Sequence, residues 1–407
     1  MHELKRLWWI PVTGAVVAPL VTWFPMLSYR FPWMGLARYP DAAQGIDLWS
    51  AQTFWFAGIA LVAALIARED RYLGAVVALV GLLIFFRGAT MDPTHSVLFT
   101  LGALMVWVMR RAPQVAHPNI KKALVVVGTF ELFYVLQQQF LGYDLLWGPL
   151  FGGQLLSKTD QCLKIAAAGD HSGLCDLKAL GTIGTVDGAA AYISILAPLM
   201  PAALIPLVLL AVWHSHAVSG LLALAAGLAV RYRKRRAVMA AIVGACLLVA
   251  FSSSLAKSRN PIQQHVNGRA AIWAFAASDW IKTDPVIGYG LGGWAARIPA
   301  LQVQQNFAPT KELWREAHNE YLQWMVELGL IGSILLAMWL YTHRAMFSHP
   351  MWGGSLAALG VNSMFFFPMH VVQISLVGLI LVGLATAPTR TVADSDPYTP
   401  PQWGQES

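Results

Sequence analysis

The side chains that could do chemistry crowd into one stretch. Between residues 252 and 318 lie Lys257, Arg259, His265, Arg269, Asp279, Lys282, Asp284, Arg297, Lys311, Glu312, Arg315, Glu316 and His318, interleaved with Trp273, Trp280, Trp294 and Trp314. A long loop carrying both charge and aromatic rings is usually functional rather than a mere connector. An imidazole such as that of His318 accepts a proton near neutral pH, as a general base must. Arg269 and Arg315 could grip phosphate oxygens bidentately. Two or three cations beside one base suit group transfer from a diphosphate donor: the cations hold the leaving group while the base deprotonates an acceptor hydroxyl. Read from residue type alone, His318 serves equally well as a helix cap or an interfacial residue.

Two local patterns flank these residues. Ala271, Trp273, Ala274, Ala277 and Trp280 recur at near-helical spacing, which predicts an amphipathic helix over 269–283 lying on or near a membrane surface. Gly288, Gly290, Gly292 and Gly293 form a glycine-rich turn. It lacks the preceding strand and βαβ context of a nucleotide fingerprint, so a tight turn that lets backbone approach a neighbour is the better reading.

The elements that must position this loop are apolar. The chain has 407 residues, 57% of them hydrophobic and only 12% charged, against roughly a quarter charged in soluble proteins. Its mean hydropathy is +0.54. A bilayer can host that much apolar side chain where a soluble core cannot. The net charge of +7 does not point to nucleic acid, because the basic residues sit at the ends of apolar runs rather than on one soluble face. The N-terminus reads as a first anchor rather than a cleavable signal, since no small-residue cleavage site follows its long apolar run.

Spans are expected at about 7–27, 51–67, 72–87, 95–109 and 121–141, with tryptophans near their ends. Lys5 and Arg6, Arg68 and Arg71, and Arg110, Arg111, Lys121 and Lys122 fall in alternate connections, which should be cytoplasmic. The loop 142–187 then faces outward, where Cys162 and Cys175 could form a disulfide or remain free thiols. Cys246, inside an apolar run, reads as packing.

The basic cluster Arg231-Tyr232-Arg233-Lys234-Arg235-Arg236 should also be inside, so an odd number of crossings must lie between 188 and 230. Three short or tilted segments, about 185–200, 202–214 and 216–230, satisfy this despite Pro198, Pro201 and Pro206; one span plus a re-entrant piece also would. The segment 237–252 then leads out to 253–317. Spans at about 319–341, 351–367 and 370–387 finish the chain.

The expectation is an all-α polytopic membrane protein of about twelve transmembrane helices. Its parts are N-terminal helices over 1–141, an outward-facing loop over 142–187, central helices over 188–252, a large outward-facing loop with short helices over 253–317, C-terminal helices over 318–387 and a cytoplasmic tail over 388–407. No internal repeat argues for an inverted-repeat transporter.

Three blocks in order resemble one family: Gly268-Arg269-Ala270-Ala271-Ile272-Trp273, then Asp284-Pro285-Val286-Ile287-Gly288-Tyr289-Gly290, then Ala317-His318-Asn319-Glu320-Tyr321-Leu322-Gln323 with Glu327-Leu328-Gly329-Leu330-Ile331-Gly332. They are similar to the O-antigen ligase and O-antigen polymerase superfamily of bacterial membrane glycosyltransferases. A weaker fourth match is Gly181-Thr182-Ile183-Gly184 leading into Ala189-Ala190-Ala191-Tyr192-Ile193 and Pro198. The resemblance spans roughly 181–335.

It implies a multi-pass enzyme of the inner membrane working on the periplasmic face. The glycan donor would be carried on undecaprenyl diphosphate. The acceptor would be the lipid A core in the ligase branch, another lipid-linked repeat in the polymerase branch, or a protein hydroxyl in a third. It implies no metal, nucleotide or other cofactor. By motif position His318 matches the proposed base and Arg269 the proposed diphosphate-binding arginine. The loop, its histidine block and the overall length resemble the ligase branch most.

One departure is local. Where the family often carries a Ser-Arg pair, this chain reads His214-Ser215-His216-Ala217-Val218-Ser219-Gly220. A protonated His216, or Arg259 or Arg315 reaching in from the large loop, could supply the second cationic contact; the alternative is a diverged donor or a weakened activity. A transporter of lipid-linked or small anionic substrates is the alternative of another class, for which the in-span carboxylates Glu131 and Glu327 speak. A non-catalytic scaffold would leave the loop's Arg, Trp and His density unexplained.

Overall fold

A computed structural model of the chain describes residues 48–87, 93–141, 186–215, 217–235, 261–305, 314 and 316–387, with residues 9, 12, 13, 237 and 244 besides. All regular structure among them is helical. In chain order the helices are α1 Leu48–Ala67, α2 Arg71–Arg87, α3 Pro93–Met109, α4 His117–Leu141, α5 Val186–Leu196, α6 Ile205–His214, α7 Val218–Arg231, α8 Pro261–Thr283, α9 Gly293–Gln304, α10 Glu320–Thr342, α11 Pro350–Phe365 and α12 Val372–Ala385.

These positions track the apolar runs, because in both lipid and protein interiors a helix satisfies its own backbone. Pro201 and Pro206 fall at breaks and first turns, where a missing N–H costs nothing. All three segments expected between 185 and 230 are present as α5, α6 and α7. Apart from residues 9, 12, 13, 237 and 244, the expected spans 7–27 and 237–252 lie outside the described residues, as do Cys246 and residues 142–185 with Cys162 and Cys175; the last two residues of the expected loop 142–187 belong to α5.

Among the described helices α10 alone is long and apolar enough to cross a membrane by itself; the apolar stretches of α1 to α3, α5 to α7 and α12 are shorter. The outer surface is nevertheless apolar. Leu61 is 64% exposed, Leu98 59%, Val126 66% and Phe133 51%. Large side chains of this kind on several helices are what a lipid-facing girdle presents.

Helix α7 packs along α11 and α5, α1 along α2, α12 along α3, and α10 against α2. Helices α7 and α11 approach to backbone contact where Gly227 faces the Gly354 carbonyl, the small-residue crossing that membrane helices favour.

The bundle has two chemically different ends. At one end the basic connections gather. Asp70, between α1 and α2, accepts from Arg110 (2.6 Å) and from the Trp339 indole (2.7 Å), and lies 3.5 Å from His343. Arg111 pairs with Glu69 and stacks over Trp107. Arg231 reaches the Met200 carbonyl and Arg233 the Ser348 carbonyl. At the other end of α10 and α11 lie Glu320, Phe365 and the His318 turn. The 23 residues of α10 separate the two ends by about 34 Å, at about 1.5 Å per residue, close to the thickness of a hydrocarbon core.

Asp70 is the hub of the basic end, with its side chain 2% exposed. Asp70→Ala would strand Arg110 and the Trp339 N–H. It is expected to destabilise the protein by about 3–5 kcal/mol, the cost of breaking a buried ion pair on one side. Thermal unfolding in detergent checks this; an unchanged midpoint refutes the role.

Candidate active site at the His318 turn

His318 sits in the short turn that leads from the polar loop into α10. Its backbone is left-handed, with φ of 52°, which makes it the one described non-glycine residue at positive φ. Such a conformation costs free energy and persists only where neighbours over-determine it.

The neighbours are explicit. The Ala317 N–H donates to Gln323 Oε1 at 3.0 Å, and the Ala317 carbonyl accepts from the Trp273 indole at 2.6 Å. On the other side Asn319 caps α10, its side chain accepting from Leu322 N at 3.1 Å. Gln323 and Asn319 therefore hold both flanks of His318 from the helix that follows it. The imidazole itself lies edge-on to Trp314 and Phe367, with ring centroids 5.3 and 4.8 Å away.

Arg269 comes to the same place from α8. Its guanidinium donates to the Phe365 carbonyl at 3.1 Å, two residues before the Phe367 ring that touches His318. Trp273, one helical turn after Arg269, is the residue that holds the Ala317 carbonyl. The two residues singled out by motif thus meet at the Phe365–Phe367 turn. Arg259, Arg315 and His216 lie outside the described residues.

Helix α8 is longer than expected, and its buried stripe is Ile272, Ala276 and Trp280, with Trp273 half-buried and Ala274 exposed. That stripe packs on Tyr289, Trp294, Ile298, Ala317 and Val326. The apolar face is spent on the protein's own satellite core, which fixes α8 beneath the His318 turn. Across its outer face Asp279 accepts from Arg297 at 2.7 Å and from the Tyr289 hydroxyl at 2.5 Å, tying α8 to α9. Burial acts to raise the Asp279 carboxyl, but these donors outweigh it and hold it below the ordinary carboxylate range.

The glycine-rich turn is a backbone clasp. Gly329 interrupts α10 with φ 66° and ψ −171°, a conformation essentially confined to glycine. The carbonyls freed by the break are taken up: Tyr289 N donates to Val326 O at 3.0 Å and Gly290 N to Glu327 O at 2.7 Å. The freed N–H groups donate outward, Leu330 to Pro285 O at 2.9 Å and Ile331 to Val286 O at 3.1 Å. Gly288, at φ 72°, lies directly on Gly329. This explains the block Asp284–Gly290 as a docking strap rather than a nucleotide loop.

Glu327 is also accounted for. Buried within the site end, it accepts from the Trp294 N–H at 3.2 Å at the start of α9 and from Gln323 at 3.3 Å. A carboxylate suits a helix N-terminus. Glu131 is buried in α4 and electrostatically coupled to Tyr192 of α5. Among the described residues no group of three or more His, Cys, Asp or Glu is arranged to hold a metal ion.

The sequence reading passed over His370. It lies in the turn Pro368–His370, outside both α11 and α12, with Nδ1 3.1 Å from Glu320 Oε1 and Nε2 3.0 Å from Gln323 Nε2. Its only signal was a lone polar residue between two apolar runs.

The described residues form an apolar helical bundle with a left-handed histidine and an arginine brought together at one end. Residues 201–337 match the family model described as O-antigen ligase, which supports membership of this chain in the O-antigen ligase superfamily of membrane glycosyltransferases. The match covers about a third of the chain. It takes in the three motif blocks and leaves the weaker one at 181–198 outside. No curated protein matches the sequence.

Proposed function

We propose that the protein is an O-antigen ligase-like glycosyltransferase of the bacterial inner membrane with its site on the periplasmic face. It would move a glycan from undecaprenyl diphosphate to a hydroxyl of the lipid A core. The observation that carries this reading is the convergence of Arg269 and a conformationally strained His318 on one turn, at the end of the bundle opposite the basic connections. His318 takes the proton from the acceptor hydroxyl as its oxygen attacks the anomeric carbon. The bond from that carbon to the diphosphate breaks, and the leaving diphosphate carries its charge against Arg269. Arg315, Arg259 and His216 are the further cations proposed to share that load. The step balances without another reactant: the proton passes to His318, and the bonding pair leaves on the diphosphate oxygen, whose charge Arg269 stabilises.

The periplasmic placement follows from the positive-inside rule applied to the clustered basic end. ATP and nucleotide sugars are absent from that side, so a lipid-linked donor is the natural activated sugar. The transporter alternative loses its motive at Glu327, which serves α9, and keeps only Glu131.

The test is a glycan profile of a knockout strain carrying wild type or Arg269→Ala. Loss of capped lipopolysaccharide is expected, with transfer by Arg269→Ala down by about 100- to 1000-fold, the usual cost of one charge-stabilising donor. Retention of a single repeat would assign the polymerase branch. Unchanged lipopolysaccharide with altered glycoproteins would assign the protein O-oligosaccharyltransferase branch. Wild-type profiles in all three pools from Arg269→Ala would overturn the transfer reading.

A further inference from the structure

The cluster beneath His318 is built around His370. Glu320, 0% exposed, accepts at Oε1 from both the Met369 N–H (2.8 Å) and His370 Nδ1 (3.1 Å). On its other side His370 Nε2 faces Gln323 Nε2 at 3.0 Å and Glu316 Oε2 at 3.7 Å. Gln323 Nε2 in turn donates to Glu316 at 3.1 Å and to Glu327 at 3.3 Å.

The orientation of the Gln323 amide is fixed from outside this cluster. Its oxygen must face the Ala317 N–H, so its NH2 must face inward. Two hydrogens then meet three acceptors: Glu316, Glu327 and a neutral His370. When His370 is protonated on both nitrogens, its Nε2–H opposes the Gln323 NH2 and turns instead to Glu316. The charge state of His370 therefore decides whether it holds Gln323 or Glu316. Gln323 holds Ala317, and Glu316 is two residues before the base.

We propose that His370 is a positioning residue for His318: its contacts to Glu320 on one side and to the Gln323–Glu316 pair on the other fix the 316–318 backbone on which the base is carried. This rests on the glycosyl-transfer reading above. Among the described residues, the titratable groups that face His370 include Glu316 from the loop and Glu320 and Glu327 from α10, while Arg269 of α8 reaches the same turn through the Phe365 carbonyl. Burial disfavours the imidazolium, but the three carboxylates outweigh it and push the His370 pKa up to about 9. A histidine raised in the folded state stabilises fully below its ordinary range, and that contribution is lost as pH rises through about 9.

The experiment measures kcat against pH for the purified full chain in lipid, with a synthetic undecaprenyl-diphosphate glycan and lipid A core. Wild type is expected to lose activity as pH rises through about 9. His370→Gln is expected to lower kcat at neutral pH by about 10- to 100-fold, the scale of a misplaced catalytic group. Its KM for the donor should stay within about twofold, and the alkaline limb should vanish. A wild-type rate with the alkaline limb intact would overturn the proposal. Should His370→Gln not fold, Glu320→Gln keeps the imidazole and removes its strongest partner; the limb should move to lower pH, and an unmoved limb is the contrary result. His318→Ala separates the two ideas: if it retains transfer, the reaction itself is misread, whereas its inactivity beside a wild-type His370→Gln profile rejects only the positioning role.

Discussion

His318→Ala is expected to lower glycan transfer by about a hundred- to ten-thousand-fold, the range for loss of a positioned general base, while the protein still inserts and unfolds close to the wild-type temperature. The second half of that expectation comes from the backbone. His318 is held at φ 52° by contacts made through its neighbours, Ala317 to Gln323 and Trp273 and Asn319 to Leu322. Those contacts survive removal of the imidazole. A His318→Gly variant relieves the left-handed strain and should be more stable still, by up to about 1–2 kcal/mol, yet equally inactive. A purely structural role for His318 predicts the reverse pairing, with stability lost and some transfer kept. Single-turnover transfer and thermal unfolding on the same preparations distinguish the two. A fully active His318→Ala would remove the base from the mechanism.

The second large effect lies away from the chemistry. Gly329→Ala is expected to destabilise the protein by several kcal/mol and to abolish transfer. Its φ of 66° with ψ of −171° is closed to residues with a Cβ. A methyl there would also fall on the backbone of Gly288 and Val286, which cannot move aside as a flexible side chain would. The four backbone hydrogen bonds that clasp the 284–290 strap to the broken helix would be lost with it, each worth about 1 kcal/mol net and more where burial leaves a group unsatisfied. Gly288→Ala should behave alike, since the two glycines contact each other. Gly58→Ala is the control. Gly58 lies in α1 with no atom of the described residues near its missing Cβ, so the change should be neutral or stabilising by up to about 1 kcal/mol. Wild-type thermal stability and transfer in Gly329→Ala would show that the clasp is dispensable.

The helices were legible because composition and apolar run length report directly on segments that must satisfy their own backbone. The short α5, α6 and α7 lie where three apolar segments were expected. The glycine turn was legible as a close backbone approach, but not its target, because nothing in Asp284–Gly290 names Gly329 forty residues on. Glu327 was misleading for a related reason. A carboxylate inside an apolar run looks like a transport site until the N-terminus of α9 is found against it.

What the sequence by itself determined is the all-helical apolar frame, the charge asymmetry between its connections and the pair Arg269 and His318, whose motif blocks carried the likeness to the O-antigen ligase superfamily. What only the tertiary structure decided is how those two are held: the left-handed backbone at His318, the Trp273 and Gln323 contacts to Ala317, and the recruitment of His370 from a turn 52 residues later. The division has a physical cause. Helix formation and membrane partitioning are local sums over a run of side chains, readable in one dimension. Hydrogen bonds between distant turns depend on which helix ends pack together, and no local property of either turn encodes its partner.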